Sequence, residues 1–301
     1  MKTEKRIEKC KNRTLKSFNP WFAYIYHVFS PFAVFTNFRT FWVIIKEFFF
    51  LQYFEKLHIL KIPVVHVDHP LDEKIPFTPQ KVSIYLDFIN LWVRPLTMLG
   101  QRLGLIRGPK VCKRWMRLFR KLYICAGQIY HFRLTTTNRP KYKEMREFRQ
   151  IHALDPHFLC VPSLHIATVL LAFAFYRQAF KDENFTADEI ARWQPELYAG
   201  AVEISETVLY VKQHSVNCIP AAIYMVVSNF SELISEDEGR KFVDDLFLTP
   251  EGFSLEEAKE IKDYIKNRLN AYILDGKTAQ HWYEPVHKWL VDYDNQNKGH
   301  L

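Results

Sequence analysis

The chain has 301 residues, which is enough for one large domain or two ordinary ones with a substantial core. Nine glycines against 25 phenylalanines, 15 tyrosines and seven tryptophans favour helices over many short strands and turns. The net charge of +8 accompanies apolar segments and no nucleic-acid-binding motif, which suits an anionic membrane surface or a phosphorylated substrate and argues against a nucleic-acid partner. Five scattered cysteines show neither a disulfide framework nor zinc-ligand spacing.

The first third of the chain is basic and then aromatic. Residues 1–19 form a basic leader, and residues 20–56 predict two aromatic helices that are broken near Thr36 and Asn37. A proline-dotted connector follows over residues 62–80, with an extended piece at 64–67, and residues 81–105 are helical in pattern. The basic run 107–121 fits either a solvated amphipathic helix or a cytoplasmic membrane-surface segment.

Membrane insertion is harder to decide from the sequence. A spanning helix needs about 20 apolar residues, and residues 158–176 come closest to that length. Ionisable groups inside a span usually face a functional cavity, so the polar interruptions fit an active-site bundle in a membrane. They also fit a soluble, aromatic-rich helical protein. We expect an all-α, membrane-embedded, multi-pass bundle of about six core helices, with the soluble form as the alternative.

The C-terminal half carries clear helix starts. Thr186 and Ser254 each open a capping box, although Pro195 is expected to interrupt the first of these helices. We therefore divide the chain into the leader 1–19, a helical core 20–230 and a soluble helical tail 231–301.

The central motif is Pro162-Ser163-Leu164-His165, which runs straight into an apolar segment. Proline suits a first helical turn, so Ser163 and His165 are expected where a helix begins. Backbone N–H groups and the helix dipole attract anions there, and a hydroxyl with an imidazole suits phosphate chemistry. The alternative is a serine N-cap beside a histidine packed in the core.

Two further clusters flank this motif. Arg133 and Arg139 lie upstream among several hydroxyls, and paired guanidiniums can clamp a phosphate, although a basic loop cap is the alternative. Lys212 and His214 lie downstream at the junction of two apolar helical segments. A lone histidine at such a junction is more often a core or capping residue.

In order and spacing, the three clusters resemble the type 2 phosphatidic acid phosphatase superfamily, whose pattern is KxxxxxxRP, PSGH and SRxxxxxHxxxD. The chain is most similar to the inositolphosphotransferase-like branch, in which PSLH commonly replaces PSGH. Arg139-Pro140 matches the end of the first motif, Pro162 to His165 the second, and Thr207 to His214 the frame of the third. The resemblance covers roughly residues 130–230.

The resemblance implies a phosphatase or phosphotransferase that acts on a lipid phosphate without metal or cofactor. In these roles His214 would attack phosphorus and form a phosphohistidine, while His165 would protonate the leaving alkoxide and activate the acceptor. Phosphate oxygens would be held by four residues: Arg133, Arg139, Ser163 and Lys212.

Three positions depart from the family pattern. Arg133 stands one place from the expected lysine, and Thr207-Val208 replaces Ser-Arg. Cys218 occupies the place of the aspartate that orients the nucleophilic histidine, and a thiol is a poor acceptor. Asn217 could orient a ring nitrogen but could not compensate charge.

These departures keep two other functions open. One is a non-catalytic member that binds a phosphorylated lipid headgroup or serves as a membrane scaffold. The other is a soluble enzyme of the kind represented by bacterial acid phosphatases or vanadium haloperoxidases, which share the motif core.

Overall fold

Helices dominate the computed structural model, which describes residues 2–297, and this confirms the predicted all-α class. The α-helices are α1 (Lys2–Cys10), α2 (Trp21–Ala23), α3 (Val34–Ile44), α4 (Leu51–Lys56), α5 (Val82–Leu86), α6 (Phe88–Tyr130), α7 (Arg146–Leu154), α8 (Leu164–Asp182), α9 (Ala187–Tyr210), α10 (Cys218–Asn229), α11 (Glu236–Asp244), α12 (Leu255–Gly276) and α13 (Glu284–Asn297). Tyr24–Val28 and Ile45–Phe50 are π-helical, and Leu15–Ser17, Pro70–Lys74 and Pro79–Lys81 are 3₁₀-helical.

Helix α8 lies at the centre of the core. Its residues from Ile166 to Tyr176 are buried on every side, because α6, α9 and α10 all pack against it. A helix that is apolar all round is stable only when neighbours cover it completely. Trp115 of α6 stacks with Phe119 and Tyr176 at ring-centroid distances of 5.4 and 5.8 Å, which joins α6 to α8.

Helix α6 bends back on itself at Gly104, whose φ of 84° is in the left-handed region that favours glycine. Gly100 and Gly108 lie where the two arms cross. A Cβ atom placed on Gly108 would lie 2.9 Å from the Cα atom of Gly100, so the backbones touch directly. The two arms of α6 can therefore approach closely enough to cover both α3 and α8.

A short parallel sheet supports the region of the three motifs. Strand β1 (Val64–His66) pairs with β2 (Leu134–Thr136), which confirms the predicted extended piece in the proline-dotted connector. An isolated parallel bridge joins Thr135 to Leu159, so the chain entering the central motif is fastened to the same sheet.

Local helix signals were partly right. Both capping boxes are present, with Thr186 and Ser254 accepting from the backbone N–H groups of Glu189 and Glu257. The predicted interruption at Pro195 is wrong, because α9 continues through it. Burial of neighbouring Trp193 offsets the cost of about 3 kcal/mol that an interior proline imposes.

The predicted break near Thr36 and Asn37 is also wrong. Both residues are buried within α3, and the chain turns earlier, at Ser30 and Pro31. The amide of Asn37 donates to the backbone carbonyl of His27 at 2.9 Å. These polar residues fasten the helix to its neighbours instead of ending it.

The three helices after Ser235 pack on the motif region. Helix α12 lies against α10, and the hydroxyl of Tyr264 donates to the side-chain oxygen of Asn217. On α13, Asp294 forms an ion pair with Arg133 at 3.0 Å.

Over residues 2–297, no helix combines the length and the apolar character that a membrane crossing requires. The expected multi-pass membrane embedding is therefore not supported.

Candidate active site

The central motif is positioned by backbone bonds to strand β2. The N–H of Cys160 donates to the backbone carbonyl of Thr135 at 3.2 Å, and the N–H of Val161 donates to the hydroxyl of Thr135 at 2.7 Å. The hydroxyl of the buried Tyr130 donates to the carbonyl of Pro162 at 2.6 Å. Three consecutive residues are thus fixed before the helix begins.

Helix α8 begins where the sequence predicts. Ser163 is its N-cap, and its hydroxyl oxygen accepts from the N–H of Ile166 at 3.5 Å. The ring of His165 lies between two aromatic rings, Tyr85 at 4.5 Å and Phe88 at 4.2 Å between centroids. This packing holds the imidazole in one orientation.

The chain turns sharply after α9 to bring His214 back toward α8. Lys212 has a φ of 53°, and its ammonium group donates to the backbone carbonyls of Asp72 and Ile75. The N–H of His214 donates to the carbonyl of Val208 at 3.2 Å. Hydrogen bonds of the Lys212 side chain and of the His214 backbone therefore hold this turn in place.

The two histidines and the serine meet at this point. Nε2 of His214 lies 3.3 Å from the hydroxyl oxygen of Ser163 and within hydrogen-bond distance of the ring of His165. The two motifs are also joined through the backbone, because the N–H of Ser163 donates to the carbonyl of Cys218 at 3.4 Å. Residues from two motifs that are distant in sequence thus share one site.

Burial makes both imidazoles weak bases. It lowers the pKa of His165 from the ordinary 6.5 to about 4, with the carboxylate of Asp155 opposing the shift. Burial, followed by the positive charges of His165 and His157, lowers the pKa of His214 well below 6.5. Both rings are consequently neutral at pH 7, as a nitrogen nucleophile must be.

Arg139 lies directly behind the cavity-lining residues. Its guanidinium donates to the backbone carbonyl of Asp155 at 2.8 Å and to the side-chain oxygen of Gln213 at 3.2 Å. One arginine of the predicted pair therefore reaches the site.

Asp155 and His157 are site residues that the motif analysis missed. Burial raises the pKa of the Asp155 carboxyl, but a hydrogen bond and the charge of His157, followed by Arg139, outweigh it and lower the pKa. His157 in turn contacts the hydroxyl of Thr137 at 2.8 Å. The only signal in the sequence was an Asp-Pro-His run just before the central motif, which has no periodicity to mark it.

Two predicted phosphate ligands lie elsewhere. Arg133 is paired with Asp294 on α13, and neither it nor Lys212 lines the cavity beside the histidines. Lys212 instead holds the 3₁₀ segment that includes Asp72. In the structure both side chains join distant segments of the chain, and their expected role at a phosphate stays a prediction.

The two candidate orienting groups are also engaged elsewhere. The side-chain amide of Asn217 donates to the carbonyl of Val67 at 3.1 Å, and the sulfur of Cys218 accepts from the N–H of Ser215 at 3.3 Å. Within the described chain, Nδ1 of His214 is buried without a side-chain hydrogen bond. The backbone of Cys160 hydrogen-bonds His214 and so favours the protonated form of the His214 ring.

A cavity of about 340 Å³ adjoins the two imidazoles. Its polar lining residues are Asp155, His157, His165, Gln213 and His214, whereas most of the remainder is aromatic or aliphatic. The apolar lining residues come mainly from two regions, the α3 to π-helix segment (Phe41, Ile44, Phe48, Phe49) and the first arm of α6 (Phe88, Ile89, Trp92). The cavity thus combines a polar part at the two imidazoles with a largely apolar remainder.

Over the described residues, no group of three or more histidine, cysteine or acidic side chains is arranged to hold a metal ion. Comparison of the chain with known protein families, with curated proteins and with solved structures finds no match.

Proposed function

We propose that the protein is a phosphatase or phosphotransferase that acts on a lipid phosphate through a phosphohistidine at His214. The observation that carries the proposal is the meeting of His214, His165 and Ser163 beside a largely apolar cavity. Each of these residues belongs to a motif that resembles the type 2 phosphatidic acid phosphatase superfamily.

The first step assigns one role to each imidazole. Nε2 of the neutral His214 attacks phosphorus, the N–P bond forms, and the bond from phosphorus to the leaving alkoxide breaks in line with it. His165 gives its proton to the alkoxide. The dianionic phosphate of a bound substrate favours the protonated form of His165. The pKa of His165 therefore rises from about 4 when substrate binds.

The second step reverses the proton transfer. Neutral His165 now removes a proton from water or an alcohol, and the oxygen of that acceptor attacks phosphorus. The N–P bond breaks and His214 regains its lone pair. Water gives hydrolysis and an alcohol gives phosphotransfer.

The phosphate oxygens require donors that the site can supply. Ser163 and the N–H groups at the start of the 19-residue helix α8 are suitably placed, because helix N-termini attract anions. Arg139 supplies positive charge through its contacts with Asp155 and Gln213. Stabilisation of charge by fixed donors of this kind supplies much of the rate in phosphoryl transfer.

The substrate class follows from the cavity lining. Phe41, Phe48 and Trp92 are typical of a site for a hydrocarbon chain, while the imidazoles take the phosphate. Phosphatidate, isoprenyl phosphates and inositol phospholipids share that amphiphilic chemistry. A membrane location belongs to this proposal, since such substrates reside in bilayers.

One observation favours a second function, a headgroup-binding protein without turnover. Among residues 2–297, Nδ1 of His214 has no carboxylate partner, and such a partner normally stabilises the imidazolium that develops during catalysis. Such a protein would bind a phosphorylated lipid but release no phosphate.

The test uses the full-length protein with phosphatidate, lysophosphatidate, isoprenyl diphosphate and an inositol phospholipid. We expect at least one of them to be turned over, with acid-labile phosphate trapped on His214 and identified by mass spectrometry of rapidly quenched protein. His214→Asn should abolish both turnover and labelling. His281→Asn, an exposed histidine outside the site, is the matched control.

Two outcomes would contradict the proposed enzymatic function. Unchanged turnover in His214→Asn would refute its role as the nucleophile. Tight binding of a lipid phosphate with no phosphate release by the native protein would instead support the headgroup-binding function.

A further inference from the structure

The segment from α3 through the following π-helix is inverted in polarity. Its outward residues recur every three or four positions and are large and apolar: Phe35 (81 % exposed), Phe38 (66 %), Trp42 (60 %), Ile45 (36 %) and Phe49 (44 %). We call these five residues the aromatic face. A helix on a water-exposed surface shows the opposite pattern, with its apolar side turned to the core.

The inward side of the same segment is polar and forms hydrogen bonds to α6 and to the residue that follows it. The hydroxyl of Thr40 lies 2.9 Å from the carbonyl of Met116 on α6, and the carboxylate of Glu47 lies 2.7 Å from the ring of His131. Buried polar groups that are hydrogen-bonded fix an orientation firmly. The exposure of the aromatic face is therefore built into the fold.

A group of basic side chains borders the aromatic face. Arg39 lies on α3, while Arg117 and Arg120 lie on the second arm of α6, and we call these three the arginine cluster. Burial, and then the charges of Arg39 and Arg117, lower the pKa of Arg120. Arg120 therefore lies near both Arg39 and Arg117, and it lines one cleft together with Arg39.

The arginine cluster has no acidic partner within residues 2–297. This contrasts with the neighbouring face of the same arm, where Arg107 and Arg114 pair with Glu183 and Asp182. Arg39 and Arg120 instead line an open cleft together with Phe38, Trp42, Ile45 and Ile124. Unpaired positive charge and exposed aromatic rings therefore share one surface.

We propose that the aromatic face and the arginine cluster dock the protein on the surface of an anionic phospholipid bilayer. The rings enter the boundary between headgroups and acyl chains, and the guanidiniums contact lipid phosphates. Interfacial aromatic residues flanked by basic ones are the usual composition of such a surface.

Charge decides between a bilayer and a second copy of this chain. A symmetric dimer across the face would bring two arginine clusters together in a protein whose net charge is already +8. An anionic bilayer offers negative charge at its surface and apolar depth below it. That combination complements both features at once.

The docking face and the cavity share the same stretch of chain. Phe49 belongs to the aromatic face and also lines the cavity, and Phe41, at 40 % exposure, lines it as well. A protein docked in this way would receive an amphiphile directly from the bilayer. The docking proposal itself does not depend on the chemistry of the histidines.

The test measures binding of the full chain to vesicles by co-sedimentation. We expect about a hundredfold tighter binding to phosphatidylcholine vesicles that contain phosphatidylglycerol than to phosphatidylcholine alone. Phe38→Ser/Trp42→Ser should weaken binding to the anionic vesicles about tenfold. Arg39→Gln/Arg117→Gln/Arg120→Gln should weaken it about a hundredfold and remove the preference for anionic lipid.

Matched controls carry the same changes away from the face. Leu248→Ser/Leu255→Ser removes two exposed apolar residues, and Lys181→Gln/Lys259→Gln/Lys277→Gln removes three exposed positive charges. Both controls should bind like the native protein. Equal loss in the controls and in the face variants would overturn the assignment to this face.

A second measurement needs no variant. Lipids with brominated acyl chains should quench the fluorescence of the native protein, since Trp21 and Trp42 are 69 % and 60 % exposed. Absence of both quenching and vesicle binding would overturn the proposal. A native dimer that Phe38→Ser/Trp42→Ser converts to a monomer, again without vesicle binding, would overturn it in favour of self-association.

Discussion

Nε2 of His214 lies 3.4 Å from Nδ1 of His165, although the two residues are 49 positions apart in the chain. A phosphate-sized ligand cannot enter between two nitrogens at that separation without moving them. Entry of such a ligand therefore requires the two rings to move apart.

The first prediction separates the two arginines of the upstream cluster. Arg139→Gln should lower kcat/KM for a lipid phosphate about a hundredfold, because charge-assisted contacts at the site are lost. Arg133→Gln should leave kcat/KM almost unchanged and cost about 1 kcal/mol of stability through its partner Asp294. Steady-state kinetics and urea unfolding measure the two effects. Equal kinetic losses in both variants would contradict this division.

The second prediction concerns the proton that His165 gives to the leaving group. His165→Asn should slow turnover of an alkyl phosphate about a hundredfold or more, since a poor leaving group needs the acid. An aryl phosphate with an acidic phenol should be much less affected. The ratio of the two rates checks the assignment, and a uniform loss on both substrates would indicate a structural defect instead.

The third prediction tests Asp155 as a positioning residue. Its carboxylate raises the pKa of both catalytic imidazoles, so Asp155→Asn should lower the pKa of His165 further. Because His165 must be protonated to act as the acid, the alkaline limb of the kcat profile should move to lower pH. Glu144→Gln, an exposed change of the same charge, should not move it. An unshifted profile with reduced kcat would assign Asp155 a purely structural role.

The fourth prediction concerns Cys218, where the family pattern has aspartate. The residue is fully buried, and this burial, followed by the nearby Cys160 and Asp72, raises the pKa of its thiol. Cys218→Asp should therefore destabilise the fold by about 3 kcal/mol without raising activity. Cys218→Ser should cost about 1 kcal/mol. A stable aspartate variant with a large gain in turnover would show that this chain is a degenerate enzyme.

The fifth prediction uses pH to measure the burial of Glu206. Burial raises the pKa of its carboxyl from 4.5 to about 7, so the folded state holds a proton that the unfolded state has lost. Its contribution to stability therefore falls as pH rises from 4.5 through 7. Glu206→Gln should be more stable than the native protein at pH 8, by roughly 2 kcal/mol, and about equal below pH 5. Urea unfolding at both pH values checks this; a difference that does not change with pH would contradict it.

Sequence reasoning was most effective where a local rule fixes geometry. The helix start at Ser163 follows from proline chemistry and capping, and the structure places it there. The meeting of His165 and His214 was implied by the resemblance of the three clusters to the superfamily motifs. By contrast, Arg133 and Lys212 bind partners more than 130 positions away, and motif spacing carries no record of such partners.

The segment formed by α3 and the following π-helix shows where prediction from the sequence fails. Its periodicity marks an apolar and a polar side correctly, but the usual assumption that the apolar side turns inward is wrong there. Thr40 and Glu47 face α6 because their hydrogen-bond partners, the carbonyl of Met116 and the ring of His131, lie in that helix and directly after its end. The periodicity of apolar and polar residues distinguishes the two sides of a helix. Which side faces the rest of the protein is decided by the residues that it contacts in the folded structure.

The crossing of the α6 arms at Gly100 and Gly108 makes the position of the arginine cluster depend on a contact between bare backbones. Repacking of nearby side chains cannot loosen or tighten that crossing. A Cβ atom at position 108 would lie 2.9 Å from the Cα atom of Gly100, so the two arms would have to separate there. The position of the second arm, which carries Arg117 and Arg120, thus depends on the absence of a side chain at Gly108.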